Sequence, residues 1–202
     1  VVSSKKFALK AQDAGVDAVV AEGFEAGGHN GREETTTLCL IPSVREAIDI
    51  PLIAAGGIGS GKAMLAAMIL GADGVQIGSR FLASYESSAH IDFKNRVLQA
   101  EEGETKLTLK ELTPVRLLDN AFSREIEAIY ERKGTTEALA AHLGRGRAKK
   151  GMFEGNLIDG ELEIGQIAGI LDDILPASEI VTQILNEFNA AKAAQNTAKF
   201  QF

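Results

Sequence analysis

PLIAAGGIGSGKAMLAAMILGADGVQIGS, residues 51–79, is the segment that shows most clearly how this chain folds. It opens with an apolar run at 51–55 and closes with a predicted strand, DGVQI, at 73–77, and each of the two stretches leads into glycine. Between them, residues 61–72 are rich in Ala, Leu and Met, which favour helices. A strand, a helix and a strand joined by short connections form the unit from which parallel sheets are built. The segment therefore predicts two neighbouring strands with a helix between them.

The residues before this segment repeat the same alternation. Residues 5–14 carry apolar side chains at helical spacing, and Gly15 is placed to end that helix. The run VDAVVAEG, residues 16–23, is almost continuously apolar, as a strand buried on both faces should be. A helix is predicted from 37 to 48, and Pro42 either kinks it or marks its start. This recurrence predicts βαβ units around one parallel sheet.

Beyond about residue 85 the pattern changes. Helical patterns cover 86–101, 119–143 and 177–194, and KLTLKEL at 106–112 is a candidate extended piece. The last residues, AAQNTAKFQF, are predicted to fray. The predicted organisation is a set of βα units at 1–84, a mostly helical region at 85–194 and a disordered tail at 195–202.

Composition excludes several classes of function. The 202 residues carry a formal net charge of −7, and without a basic excess no nucleic-acid partner is expected. No apolar run approaches the roughly 18 residues of a membrane-spanning helix, so no membrane partner is expected. The single cysteine, Cys39, excludes an internal disulfide and fits a reducing, cytoplasmic compartment. Cys39 stands in an apolar helical segment, where a buried and inert thiol is expected.

Two consecutive predicted strands end in small residues that suit an anion. One is followed by Gly56-Gly57 and the next by Gly78-Ser79, and N–H groups at such strand-to-helix turns bind phosphate. The simpler alternative is that these residues only make tight turns. The same segment fits the nucleotide-binding pattern G-x-x-x-x-G-K, but Ala63 replaces the hydroxyl that would bind magnesium. A phosphate site at the two strand ends is therefore favoured over nucleotide hydrolysis.

A histidine among glycines follows the strand at 16–23. The run EGFEAGGHNG, residues 22–31, leaves His29 few bulky neighbours and places it after the carboxyl end of a buried strand. An imidazole can take a proton from a carbon acid near neutral pH, so a catalytic role is predicted. A surface or structural histidine is the alternative. Metal ligation is disfavoured, because no second His or Cys stands at ligand spacing.

The remaining polar candidates receive structural interpretations. His90 precedes a predicted helix and is expected to cap it or to lie on the surface. Arg145, Arg147, Lys149 and Lys150 form a small basic group that is usually solvated. An acidic partner or a substrate phosphate is the alternative interpretation of that group.

Three motifs together resemble the nitronate monooxygenase family, which includes flavin-dependent enoyl-acyl-carrier-protein reductases. They are EGFEAGGHNG at 22–31, PLIAAGGI at 51–58 and GADGVQIGSRF at 71–81, in the family's order and spacing. The resemblance continues through Glu86–His90 and Gly165–Gly169, and so covers nearly the whole chain.

The resemblance implies a TIM-type (β/α)8 barrel that holds FMN at the carboxyl ends of its strands. It assigns His29 as the catalytic residue, acting as a base or as an electrostatic partner of an anionic substrate. Ser79 stands where the family commonly has Thr, and Glu22 stands where many relatives have Gln. The implied cofactor-binding residues are Glu22 and Gly27 beside the flavin, and Gly56, Gly57, Gln76, Ile77, Gly78 and Ser79 around its phosphate.

The implied activity is oxidation of alkyl nitronates by an FMN enzyme with oxygen as the oxidant. The alternative on the same scaffold is an NAD(P)H-dependent reductase of enoyl thioesters, because fold and cofactor site do not decide the substrate. A non-catalytic flavin- or phosphate-binding scaffold is a third interpretation. The resemblance leaves open whether NAD(P)H is the electron donor and whether the protein is a homodimer.

The resemblance also implies that part of the barrel lies outside this sequence. The three predicted strands correspond to the last three of the barrel, and residues 1–4 to the end of the fifth. The chain opens on Val1 rather than on Met, so a fragment or a processed product is expected. Half a parallel barrel leaves strand edges open. We therefore expect that this chain needs the missing segment to close the barrel and to hold FMN fully.

Overall fold

The computed structural model describes residues 1–195, and the predicted tail beyond Gln195 lies outside this range. Helices and strands alternate in the first part of the chain, and a second sheet follows. The elements are α1 (Lys5–Asp13), β1 (Val19–Glu22), β2 (Gly28–His29), α2 (Thr37–Arg45), β3 (Leu52–Ala55), α3 (Gly61–Ile69), β4 (Gly74–Gln76), α4 (Ser79–Leu82), α5 (Ile91–Leu98), β5 (Thr105–Thr108), β6 (Val115–Leu118), α6 (Ala121–Glu131), α7 (Thr136–Leu143) and α8 (Ala177–Ala194).

The predicted parallel sheet is confirmed. Its order is β1-β3-β4, both pairings are parallel, and Val2 adds a parallel bridge to Ala21 at the outer side of β1. The strands of this sheet therefore follow one another in chain order, as in a TIM barrel. Within residues 1–195 the sheet stays open, because β4 has a partner strand on one side only. The α/β architecture is as predicted, and closure of the barrel is not observed in this chain.

Alternate residues of the parallel strands face the helices. Val19 and Ala21 of β1 and Leu52 and Ala54 of β3 are buried in a core with α1, α2 and α3. Pro42 lies inside α2, which begins at Thr37, so it neither starts the helix nor ends it. The strands and helices lie within a few residues of their predicted bounds. Helical packing thus covers one face of the parallel sheet.

A second, antiparallel sheet was not predicted. Its order is β2-β6-β5, and it begins with the two-residue strand Gly28–His29, which pairs with Arg116 and Val115. The extended piece expected at 106–112 is present as Thr105–Thr108, but its partner strand Val115–Leu118 was missed. Residues 85–194 therefore contain two paired strands in addition to the predicted helices. All four residues of β6 are buried, so this short strand shows no alternation that a periodicity argument could detect.

Two features of the helices bear on the site. The helix predicted over 86–101 starts later than expected, because residues 86–90 are not helical and α5 begins at Ile91. His90 is the N-cap of α5, and its side chain accepts a hydrogen bond from the Asp92 N–H. The capping role expected for His90 is thus confirmed. Helix α8 packs closely on α3, where an added Cβ at Gly61 would lie 2.1 Å from the carbonyl oxygen of Ile184.

The prediction for Cys39 was wrong. Its side chain is exposed, whereas the adjacent Leu40 is buried, because the two residues lie on different sides of α2. Within residues 1–195 no helix combines the length and the apolar content needed to cross a bilayer.

Candidate functional site

A cavity of about 540 Å³ opens at the carboxyl ends of β1, β3 and β4. Small-molecule sites typically enclose about 300–1,000 Å³, and TIM-type folds place them at this edge of the sheet. Seven of the predicted site residues line the cavity: Glu22, Gly27, Gly56, Gly57, Gln76, Gly78 and Ser79. The other two do not line it, since Ile77 packs against the core under the parallel sheet and His29 lies on β2. The cavity thus brings both glycine-containing strand ends together.

Three residues that line one part of this cavity have backbone N–H groups without an acceptor. Within the described chain, the N–H groups of Gly57, Gly78 and Ser79 have no hydrogen-bond acceptor. Gly56 and Gly57 have φ angles of 88° and 69°, a region that glycine adopts without strain. An added Cβ at Gly56 would lie 2.5 Å from the carbonyl oxygen of Gly23, so this close approach also requires glycine. Unpaired N–H groups at a concave turn form the kind of site that binds anions.

Gly78 leaves open space in the same part of the cavity. An added Cβ there would meet no atom within 4 Å, and its φ of −100° is available to any residue. The fold itself therefore does not require glycine at this position. A small residue beside unpaired N–H groups suits the close approach of a phosphate, so the residues present fit the phosphate end of FMN.

Two backbone N–H groups at the start of α3 already have acceptors within the protein. The N–H of Gly61 donates to Glu187 of α8 at 2.8 Å, and the N–H of Ala63 donates to the Ser60 hydroxyl at 3.2 Å. These two N–H groups are therefore not available to the phosphate site predicted at the strand ends. Lys62 is exposed, in agreement with its interpretation as a solvated side chain.

Glu25 lines the cavity, although the sequence assigned it no role. Its two carboxylate oxygens each lie 3.0 Å from the backbone nitrogen of Thr37, at the start of α2. A carboxylate at a helix N-terminus is electrostatically favourable. The Glu25 carbonyl oxygen accepts a hydrogen bond of 2.9 Å from Gln166 in the 3-10 turn Gln166–Ile170. Glu25 therefore anchors the loop after β1 at two points.

His29 lies at the edge of the site. Its side chain is exposed, and it does not line the cavity. Glu163 does line it, and an added Cβ at Gly28 would lie 2.6 Å from the Glu163 Oε2. The carboxyl group of Glu163 thus lies against the backbone next to His29. Its role as a cavity residue was missed, although the neighbouring motif Gly165–Gly169 marked the region.

Burial raises the pKa of three carboxyl groups in and near the cavity. Burial raises the pKa of Glu163 above its ordinary value, and the charge of His29 opposes this shift. Burial also raises the pKa of Glu161, assisted by the negative charge of Glu163 and opposed by His29. The pKa of Glu22 is raised by burial as well. Perturbed carboxyl groups in a cleft are typical of functional sites.

The cavity wall combines carboxyl groups and apolar side chains and has no basic side chain within residues 1–195. Three carboxyl groups line the cavity, those of Glu22, Glu25 and Glu163, and no Lys, Arg or His does so within residues 1–195. Met152 and Phe153 belong to a π-helical turn at Lys149–Phe153, an irregularity that often occurs at functional sites. The apolar lining comprises Ala26, Ala55, Ile58, Phe81, Leu82, Ala89, Met152, Phe153, Ile164 and Ile167.

The basic residues near this turn are engaged by the protein itself. Lys150 pairs with Asp159 at 2.9 Å, and Lys149 pairs with Glu154 at 3.3 Å. Arg147 donates hydrogen bonds to three backbone carbonyl oxygens. These contacts favour the structural interpretation of the basic group over a partner-binding one.

Parallel strands that pair in sequence order, covered by helices and ending at one cavity, define this chain as part of a TIM-type α/β fold. The chain belongs to the nitronate monooxygenase family, whose sequence model matches residues 1–187. Members of this family are typically flavin-dependent. The resemblance found in the sequence is therefore confirmed.

Individual relatives agree with this assignment. A probable nitronate monooxygenase of Bacillus subtilis is 33% identical over 193 residues, which cover 92% of this chain and 55% of the relative. The structure of FabK from Thermotoga maritima is 39% identical with a TM-score of 0.86, over 95% of this chain and 60% of that one. A nitroalkane oxidase structure from Streptomyces ansochromogenes is 32% identical with a TM-score of 0.80, over 96% and 58%. This chain thus spans little more than half the length of these relatives.

Proposed function

We propose that this protein is an FMN-dependent oxidoreductase of the nitronate monooxygenase type. The observation that carries the proposal is that Gly57, Gly78 and Ser79, whose N–H groups have no acceptor within the described residues, line one cavity. FMN would supply the electron-transfer chemistry that protein side chains lack. The typical flavin dependence of the family supports this choice of cofactor.

In this proposal the residues of this chain would bind FMN and orient both the flavin and the substrate. The N–H groups of Gly57, Gly78 and Ser79 hold the phosphate, and Glu22 and Gly27 lie beside the flavin ring. The apolar wall around Met152 keeps water away from the substrate. His29 takes a proton from the substrate carbon or stabilises the negative charge of a nitronate.

Alkyl nitronates are the substrate that we propose first, with oxygen as oxidant. The names of the Bacillus subtilis relative and of the Streptomyces nitroalkane oxidase support this choice. The test compares nitronate oxidation by the parent protein and by His29→Ala in an oxygen electrode. A nitronate has already lost its carbon proton, so this assay tests the role of His29 in stabilising the negative charge. We expect a loss of at least about tenfold in kcat/KM, because a hydrogen bond to a charged group contributes about 1.5–3 kcal/mol.

His90→Ala is the matched control, because His90 caps α5 and lies outside the cavity lining. It should retain the parent rate. A preparation of the parent protein that contains flavin and oxidises no nitronate would reject this substrate. Unchanged nitronate oxidation by His29→Ala would remove His29 from the mechanism.

Enoyl thioesters are the second candidate, with NAD(P)H as electron donor. The specific observation in their favour is the cavity lining, where three carboxyl groups and no basic side chain would disfavour an anionic nitronate. A neutral thioester with an apolar chain would suit the wall around Met152 and Phe153. Anaerobic NADH consumption that depends on crotonyl thioester would identify this activity, and its absence would exclude it.

The whole protein's activity depends on how the barrel is completed. Since β4 has one free edge within the described chain, and the chain covers 55–60% of these relatives, we propose that a further segment contributes to the flavin site. Flavin titration of the 202-residue chain tests this, and affinity equal to that of a full-length relative would contradict it. We also propose a homodimer, which light scattering would test.

A further inference from the structure

Arg116 on β6 is a buried charge without an ion partner. Its side chain is 2% exposed, and it is the largest fully buried side chain among the described residues. No carboxylate within residues 1–195 lies at ion-pair distance from it, although most buried charges are paired. Burial lowers the pKa of the guanidinium, and the charges of Glu25 and Glu34 oppose this shift. Burial of an unpaired charge has a desolvation cost, so its other contacts must explain why an arginine stands here.

The hydrogen bonds of Arg116 converge on one carbonyl group. Its Nε and Nη2 donate to the carbonyl oxygen of Phe24 at 3.1 and 2.8 Å. The guanidinium lies 4.7 Å from the centre of the Phe24 ring, within the range of a cation–π contact. A weaker contact of 3.4 Å reaches Thr105 on the neighbouring strand. The side chain therefore fixes both the backbone and the ring of Phe24.

The backbone of Arg116 holds the same loop at a second point. Arg116 on β6 pairs with Gly28 on β2, and Val115 pairs with His29. One residue thus grips Phe24 with its side chain and Gly28 with its main chain. Between these two points lie Glu25, Ala26 and Gly27, and all three line the cavity.

We propose that Arg116 is a positioning residue that clamps the segment Phe24–Gly28 and so sets where Gly27 and His29 stand at the flavin site. This inference rests on the proposed function for the flavin, but the clamp itself is a property of this chain. A fork of donors is required, because a lysine ammonium lacks the planar pair of N–H groups that converge on one carbonyl oxygen while the same plane stacks on a ring. Arg116→Lys should therefore keep the charge and lose the clamp.

Arg147 offers a matched control. It too donates to backbone carbonyl oxygens and stacks on a phenylalanine, with its guanidinium 4.9 Å from the Phe122 ring. It does not contact the segment Phe24–Gly28 and does not line the cavity. Arg147→Lys thus removes the same kind of contact away from the site.

The first measurement is hydrogen exchange by mass spectrometry, which needs no flavin. Peptides that cover residues 24–28 should exchange faster in Arg116→Lys than in the parent and in Arg147→Lys. The second measurement is FMN affinity, which should fall about tenfold in Arg116→Lys and less than about twofold in Arg147→Lys. Unfolding midpoints of both variants show whether global stability accounts for the difference.

Unchanged exchange at 24–28 in Arg116→Lys would overturn the proposal, as would an equal loss of FMN affinity in Arg147→Lys. If Arg116→Lys does not fold, Phe24→Leu removes the stacked ring and keeps the carbonyl acceptor. It should also speed exchange at 24–28, by less than the arginine variant would, and no change would count against the clamp. If the parent chain binds no FMN, that result bears on the proposed flavin site and on the segment needed to complete it, while the exchange comparison still decides the role of Arg116.

Discussion

The hydroxyl oxygen of Ser79 accepts a hydrogen bond of 3.0 Å from the backbone N–H of Gly165, which lies 86 residues further along the chain. This contact joins the end of the parallel sheet to the segment that carries Glu163 and Ile167 into the cavity wall. Because the Ser79 oxygen is the acceptor, its own hydrogen is free to donate to a bound group. The contact therefore explains why a hydroxyl side chain is useful at this position.

Removal of this hydroxyl should weaken both the fold and the site. Ser79→Ala leaves the N–H of Gly165 unpaired in a buried position, at a cost of about 1–3 kcal/mol in the free energy of unfolding. FMN affinity should fall as well, while Ser79→Thr keeps the hydroxyl and should retain both properties. Urea unfolding and flavin titration measure the two effects. Equal stability of the Ala and Thr variants would show that the bond contributes nothing.

Gly78 and Gly27 should respond differently to a methyl group. Gly78→Ala adds a Cβ that meets no protein atom within 4 Å, so the free energy of unfolding should stay within about 0.5 kcal/mol of the parent. FMN affinity should nevertheless fall about tenfold, because the methyl group takes space beside the unpaired N–H groups. Flavin fluorescence quenching measures this affinity. Unchanged affinity would indicate that Gly78 only makes a turn.

Gly27→Ala is the contrasting variant. Its Cβ would lie 2.4 Å from the Ile164 carbonyl carbon, so the backbone of one segment must move. We expect a loss of about 1–3 kcal/mol in the free energy of unfolding, as overpacking typically causes. Urea unfolding curves give this loss directly. A stability equal to that of Gly78→Ala would show that these two segments are less closely packed than the structure indicates.

Glu163→Gln should stabilise the protein near neutral pH. Burial raises the folded-state pKa of Glu163 above its unfolded value, so the folded state binds this proton more tightly. The contribution of the group to stability is complete below the unfolded pKa and is lost as the pH rises through the folded pKa. Glutamine cannot ionise, so the variant should be more stable than the parent at neutral pH, and the difference should shrink in acid.

Urea unfolding of both proteins across a pH series measures this prediction. Glu154→Gln is its control, because the Glu154 carboxylate is exposed and pairs with Lys149 on the surface. It should produce no such gain. A gain in Glu163→Gln that persists undiminished in acid would show that burial of the charge is not its cause.

Local sequence patterns predicted the parallel sheet well and the second sheet poorly. The strands predicted at 51–55 and 73–77 are present as Leu52–Ala55 and Gly74–Gln76, because each stretch carries β-branched residues and leads into glycine. Strand β2 has only two residues, and its partner strand Val115–Leu118 stands far along the chain. Such a pairing is set by tertiary contacts, which leave no periodic pattern in a short segment.

The same distinction applies to the candidate site. Gly57 and Gly78 were predictable, since glycine at the end of a strand marks a local conformation. Glu163 and Met152 reach the cavity only because distant segments fold back against the sheet. Cys39 shows the reverse error, where an apolar neighbourhood in sequence did not imply a buried side chain. The sequence therefore predicted the site residues whose position depends on local backbone conformation. It did not predict the residues whose position depends on packing between distant segments.

Glu187 should link the stability of α3 to that of α8. Its carboxylate accepts a hydrogen bond of 2.8 Å from the N–H of Gly61, the first residue of α3. Loss of such a cap costs about 1 kcal/mol, and the negative charge also favours a helix N-terminus. Glu187→Ala should therefore lower the free energy of unfolding by about that amount, whereas Asn186→Ala, at an exposed neighbouring position, should change it by less than about 0.5 kcal/mol. Urea unfolding of the two variants gives the comparison, and an equal effect in both would mean that helix propensity, rather than the cap, determines the result.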